Sequence, residues 1–186
     1  MNQINEIKDK IQKEAVKSIY STNTGSTLKP KCRALLTMAT GAGKSRCALM
    51  FMDEIKAKKI ALLVPTEKLR DDNWKQEYDD WGFTEYWDKT TRLCYASASK
   101  YSLSEYDLVI CDEIHRLTEL SYQFFIQNTI HNIVALTATP PQELVKIQLI
   151  SKMKLTVSYH LSIDDAVRLG IVADYNIDVI FTTLNS

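Results

Sequence analysis

The stretch Met38-Ala39-Thr40-Gly41-Ala42-Gly43-Lys44-Ser45 constrains this chain more than any other. Ala34-Leu35-Leu36 runs into it as a short apolar strand, and Leu49, Met50 and Met52 follow at roughly helical spacing. A strand that feeds a glycine-containing turn and opens a helix is the setting in which backbone cradles phosphate. The glycines let the chain curl until successive N–H groups converge on an anion. The helix N-terminus adds partial positive charge at the same point. Lys44 supplies a mobile cation for the β- and γ-phosphates, and the Ser45 hydroxyl suits Mg²⁺. The strict pattern opens with glycine, whereas Met38 holds that place here. The plain alternative is a chance Gly-Lys-Ser turn, which the flanking strand and helix disfavour.

The chain has 186 residues, ordinary for one domain, and 45% of them are hydrophobic and 25% charged, so a full core is available. Lys+Arg and Asp+Glu both number 23, which argues against holding nucleic acid by bulk positive charge but leaves room for a local patch. Cys32, Cys47, Cys94 and Cys111 make no CxxC pair, which argues against zinc. Cys47 and Cys111 sit in apolar runs and read as small core residues in a reducing compartment. No apolar run approaches the ~18 residues of a membrane span and the N-terminus lacks a signal-peptide pattern, so the expectation is a cytoplasmic or nucleoid-associated protein.

Along the chain, Ile4, Ile7, Ile11, Ala15 and Ile19 share one face of a helix over 3–20, and residues 21–31 form a flexible loop closed by Pro30. Ile60–Val64 is a buried strand, ended by Pro65-Thr66, and a helix begins near Glu67 with Trp74, Tyr78 and Trp81 on a face read as core. Leu93-Cys94-Tyr95 reads as a strand, and Ser97-Ala98-Ser99 as a turn or helix start. Leu108–Cys111 is a buried strand, Phe124, Phe125 and Ile130 mark a helix, and Ile133–Leu136 is a further strand. A helix around Asp164–Leu169 and a strand at Ile177–Phe181 complete the list. Strands that are apolar throughout and alternate with helices give an α/β fold, a parallel sheet with helices on both faces. Ligands of such sheets bind beyond the C-terminal strand ends. The phosphate loop, Asp112-Glu113 and Thr137-Ala138-Thr139 all fall at such ends and should converge.

Asp112, at the end of an apolar strand, is placed to hold Mg²⁺, and Glu113 to orient or deprotonate an attacking water. Phosphoryl transfer asks mainly for positioning and charge stabilisation, which these parts supply. An acidic pair capping a helix is the other reading of Asp112-Glu113.

Asp112-Glu113-Ile114-His115 resembles the DExH box of superfamily 2 helicases and translocases, and Met38 to Ser45 resembles their first motif, in which the opening glycine is commonly absent. Pro65-Thr66-Glu67-Lys68-Leu69 resembles their motif Ia and Leu136-Thr137-Ala138-Thr139-Pro140 their motif III, in matching order. The branch of restriction-enzyme translocases and phage recombination helicases looks closest. The resemblance implies a RecA-like P-loop NTPase lobe that uses ATP and Mg²⁺. In it Thr40, Gly41, Ala42, Gly43, Lys44 and Ser45 bind ATP, Ser45 and Asp112 hold the metal, and Glu113, Lys44 and Asp112 carry catalysis. His115 would bridge the box to Thr137 or Thr139, coupling hydrolysis to movement. Pro65, Thr66, Lys68 and Ser97 would contact nucleic acid, DNA favoured over RNA. Gln12 matches a position that reads adenine, although the aromatic usual just before it is Ile11 here.

The whole of 1–186 is thus expected to be one helicase ATP-binding lobe, with the second RecA-like lobe and its arginine-bearing motif outside this chain. Two rivals stand beside a helicase: a duplex translocase of restriction type that never separates strands, and a non-catalytic nucleotide-dependent binding module, which has no need of Glu113.

Overall fold

The computed structural model describes residues 3–27 and 29–173. Its centre is a six-stranded sheet in the order β3-β2-β4-β5-β1-β6, every neighbouring pair parallel. The strands are β1 (Arg33–Met38), β2 (Ile60–Val64), β3 (Thr90–Cys94), β4 (Leu108–Cys111), β5 (Ile133–Thr137) and β6 (Thr156–Leu161). The helices are α1 (Gln3–Tyr20), α2 (Lys44–Glu54), α3 (Trp74–Asp80), α4 (Glu119–Gln127), α5 (Leu144–Lys152) and α6 (Ile163–Arg168). The α/β architecture follows from the strands themselves. The four central ones, β2, β4, β5 and β1, are almost wholly buried, so each face must be covered.

The period-2 alternation of a strand divides the core in two. Leu36, Met38, Ile60, Leu62, Ile110 and Leu136 face one side, where they pack with Ile11, Ala15 and Ile19 of α1, Cys47 and Phe51 of α2, and Trp74 and Tyr78 of α3. Leu35, Ala61, Leu63, Val109, Cys111 and Ala135 face the other, with Tyr122 and Phe125 of α4 and Leu149 and Ile150 of α5. At the N-terminal edge Asn132 ties three loops together, accepting from Cys32 N at 2.9 Å and donating to Asp107 O at 3.0 Å.

Several sequence expectations change. The strand read as Leu93–Tyr95 is Thr90–Cys94, because Tyr95 already opens a 3₁₀ turn over Tyr95–Lys100. Ile130 is buried but lies beyond the end of α4. Trp81 is not core: it is 42% exposed, just past the end of α3. The helix that starts at Glu67 is interrupted by a π-helical turn, Leu69–Asn73. α5 and β6 were not anticipated. β6 is an edge strand with mostly exposed or half-exposed side chains, so it carries no continuous apolar run. The strand expected at Ile177–Phe181 lies outside the described residues.

Candidate active site

Gly41 and Gly43 carry the turn from β1 to α2 with φ of 82° and 88°. Gly43 has a second constraint. A Cβ there would stand 2.0 Å from Gln12 Nε2, so a side chain is excluded by the left-handed backbone and by contact. No side chain among the described residues caps the start of α2, so its first-turn N–H groups are free of a capping partner at the loop. Gln12, 2% exposed, braces the loop from behind by donating to Ala42 O at 3.0 Å. Its Oε1 accepts from Arg46, whose other terminal nitrogen donates to Asp9 at 3.0 Å. The Arg46 guanidinium lies 4.4 Å over the Trp81 ring.

A cleft of about 380 Å³ opens in front of the loop. It is lined by Thr40, Gly41, Gly43, Lys44 and Ser45 of the loop and α2, by Asp112 and Glu113 after β4, and by Leu69, Asn73, Trp74, Glu77, Asp80 and Trp81 from the segment around α3. Burial pulls the Lys44 ammonium below its ordinary pKa, and the Glu113 and Asp112 carboxylates pull it part of the way back. No ion pair holds Lys44 among the described residues, so it is a desolvated cation beside uncapped helix N–H groups. That combination suits phosphate. Ser45 and Asp112 offer the hard oxygen donors that Mg²⁺ takes alongside water and phosphate.

Asp112 follows β4 and stays in register with β2, its N–H donating to Leu63 O at 2.9 Å. Both carboxylate oxygens are engaged. Oδ1 accepts from Glu113 N at 3.0 Å and Oδ2 from the Trp74 indole at 2.9 Å. Burial pushes the Asp112 carboxyl up, opposed by the Trp74 bond.

Glu113 sits at φ 49°, ψ 50°, a left-handed conformation that costs a non-glycine residue on the order of 1–2 kcal/mol. Its Oε2 is 3.2 Å from His115 Nδ1, which is also 2.9 Å from Thr137 Oγ1. The proton can be assigned. The Thr137 hydroxyl donates to Thr139 O at 2.8 Å, and a carboxylate only accepts, so His115 Nδ1 is the donor to both. Thr139 N donates back to Thr137 Oγ1 at 3.2 Å. Burial holds the imidazole below its ordinary pKa, in keeping with a neutral ring protonated at Nδ1. His115 therefore joins Glu113 to the Thr137–Thr139 turn.

The other predicted residues lie elsewhere. Pro65 and Thr66 follow β2 and Ser97 follows the adjacent β3, so they share the C-terminal sheet edge but do not line the cleft. Thr66 and Lys68 are exposed, and Ser97 Oγ donates to Cys94 O at 3.0 Å. Sequence reasoning missed the contributions of Trp74, Trp81 and Arg46. The two tryptophans share a helical stripe with Tyr78, and spacing alone does not separate a core indole from one at a cleft.

Residues 5–93 match the family described as type III restriction enzyme, res subunit. Curated proteins give no match. Among solved structures, the chain is similar to the Pyrococcus furiosus Hef helicase domain, with a TM-score of 0.61 and 18% identity over 83% of this chain and 39% of that one. It is also similar to the Sulfolobus solfataricus SWI2/SNF2 ATPase core solved with dsDNA, with a TM-score of 0.54 and 14% identity over 81% of this chain and 34% of that one. The chain therefore spans well under half of either matched structure. With the parallel sheet and the phosphate loop after β1, these likenesses give the chain the α/β fold of a RecA-like lobe, the fold of both matched structures.

Proposed function

We propose that the chain is the ATP-binding and ATP-hydrolysing lobe of a DExH-box helicase or translocase acting on nucleic acid, DNA rather than RNA. The observation that carries this reading is the hydrogen-bonded path from Glu113 through His115 Nδ1 to Thr137. A binding module needs a phosphate loop but not a carboxylate wired to the end of a neighbouring strand. In this reading Lys44 and the first-turn N–H groups of α2 neutralise phosphate charge. Ser45 and Asp112 hold Mg²⁺, which when bound draws charge from the phosphoryl oxygens. Glu113 accepts the proton of the attacking water. His115 carries the change at Glu113 to Thr137 and Thr139. Thr66, Lys68 and Ser97 bind backbone phosphate, which positions a strand without reading its sequence.

Gln12 reads adenine in this proposal. Its amide gives one N–H to Ala42 O and one lone pair to Arg46, which leaves one donor and one lone pair for the base. ATP should then bind in preference to GTP, and Gln12→Ala should erase the difference. The site itself is tested by titrating a fluorescent ATP analogue. Lys44→Ala is expected to weaken binding by at least about tenfold, the worth of charge-assisted bonds. Glu113→Gln should bind normally and lose hydrolysis. Unchanged affinity in Lys44→Ala refutes the assignment.

A translocase that tracks duplex without parting the strands is the second reading. Its support is the likeness to an ATPase core solved with dsDNA and to a restriction subunit family. Strand-displacement and triplex-displacement assays run side by side on the full-length protein separate the two.

A further inference from the structure

Asp112 is gripped from outside its own strand. Its Oδ1 takes the N–H of the next residue, but its Oδ2 takes the indole N–H of Trp74, thirty-eight residues away in sequence, at 2.9 Å. Trp74 is 2% exposed, with its ring 6.3 Å from that of Tyr78. An indole N–H can only donate, and Asp112 is the acceptor it has. Each carboxylate oxygen keeps a further lone pair for a ligand in the cleft that both residues line.

The backbone shows how the indole comes to point there. Trp74 N donates to Leu69 O, five residues back, which closes the π turn Leu69–Asn73. One residue is about 100° of rotation in a regular helix. The extra residue in this turn therefore re-aims everything that follows it, Trp74 first. Single π turns of this kind concentrate at functional sites.

We infer that Trp74 is a positioning residue for the metal-holding carboxylate, its indole N–H fixing the orientation in which Asp112 presents its free lone pairs to the cleft. This rests on the reading of the cleft as a Mg·ATP site. Trp74→Phe keeps a ring in the core and removes only the donor. The measurement is anisotropy of a fluorescent ATP analogue, with and without Mg²⁺, on the unmutated chain and Trp74→Phe. The Mg²⁺-free affinity should stay within about twofold. The gain in affinity on adding Mg²⁺ should fall by roughly tenfold, as expected for a lost hydrogen bond to a charged group. A purely structural indole would leave that gain alone, and an equal gain in both proteins overturns the assignment. If the unmutated chain shows no Mg²⁺-dependent gain, the Mg·ATP reading itself fails and the Trp74 assignment with it. Should Trp74→Phe not fold, exchange of the Trp74 indole proton in the unmutated chain answers the same question. Mg·ADP should slow it relative to ADP alone, and identical rates overturn the proposal.

Discussion

Glu113 and Lys44 both carry a cost that the fold alone does not explain. Glu113 holds a left-handed backbone that a glycine would adopt freely. Lys44 keeps its ammonium in a desolvated place, below its ordinary pKa of 10.5. Between the depressed folded value and 10.5, the unfolded chain binds more protons, so stability rises with pH through that window. At neutral pH, below it, the buried charge is fully a burden. Lys44→Met should therefore raise the melting temperature, by about 2–4 °C for each kcal/mol relieved, while nucleotide binding is lost. Thermal denaturation near pH 7 checks the sign, and a lower Tm contradicts it. Thr137 should behave in the opposite way. Its fully buried hydroxyl serves His115 Nδ1, Thr139 N and Thr139 O. Thr137→Val keeps the shape and removes those hydrogen bonds, while His115 keeps Glu113 and the exposed Thr139 turns to water, at a cost of about 0.5–1.5 kcal/mol. A Tm equal to that of the unmutated chain would show that the bridge carries no stability.

The stretch from Glu67 to Trp81 is the element where pattern reading went furthest astray. Its apolar stripe correctly buries Trp74 and Tyr78 but continues in sequence to Trp81, which the structure leaves at the cleft with its indole N–H on Glu77 at 2.9 Å. The π turn breaks the helical period ahead of Trp74, and no residue type in Leu69-Arg70-Asp71-Asp72-Asn73 announces it. Removing Asp72 should take out the extra residue and restore regular α spacing with Trp74 still one turn beyond Leu69, facing Asp112. The Mg²⁺-dependent gain in nucleotide affinity should then be preserved, whereas a fall like that in Trp74→Phe would mean that the shape of the turn, and not only its direction, holds the indole on Asp112.

For the molecule as a whole, zero formal net charge means that the proposed nucleic-acid contact would fall to local groups at the C-terminal sheet edge, where Thr66, Lys68 and Ser97 lie. The cleft lining contains Lys44 and no arginine among the described residues. An arginine that neutralises the transferring phosphoryl group is worth roughly 10³–10⁵ in turnover among P-loop enzymes. We expect residues 1–186 to bind Mg·ATP yet turn it over well below about 1 s⁻¹, the low end of ordinary enzymes, with little stimulation by DNA or RNA. Steady-state ATPase with and without oligonucleotide is the measurement. Faster turnover that Glu113→Gln abolishes would make this lobe sufficient alone.

Local chemistry written in the sequence determined the sheet and the loop. Four unbroken apolar runs can only be buried strands, and glycines before Lys44-Ser45 can only serve a tight turn into a helix, because sterics and solvation act within a few residues. The same locality placed Asp112-Glu113 and Thr137–Thr139 at strand ends, so that their meeting followed once the strands were parallel. Tertiary structure alone decided what lies between them. His115 Nδ1 reaches Thr137 across neighbouring strands, Gln12 braces Ala42 from another helix, and Trp74 takes Asp112 from a helix on one face of the sheet. β6 belongs to the same class, since a half-exposed edge strand is defined by the neighbour it pairs with and not by its own residues. Each of these joins groups that are 22 or more residues apart. A hydrogen bond at that range is fixed by the packing of whole elements, and no short pattern in the chain encodes it.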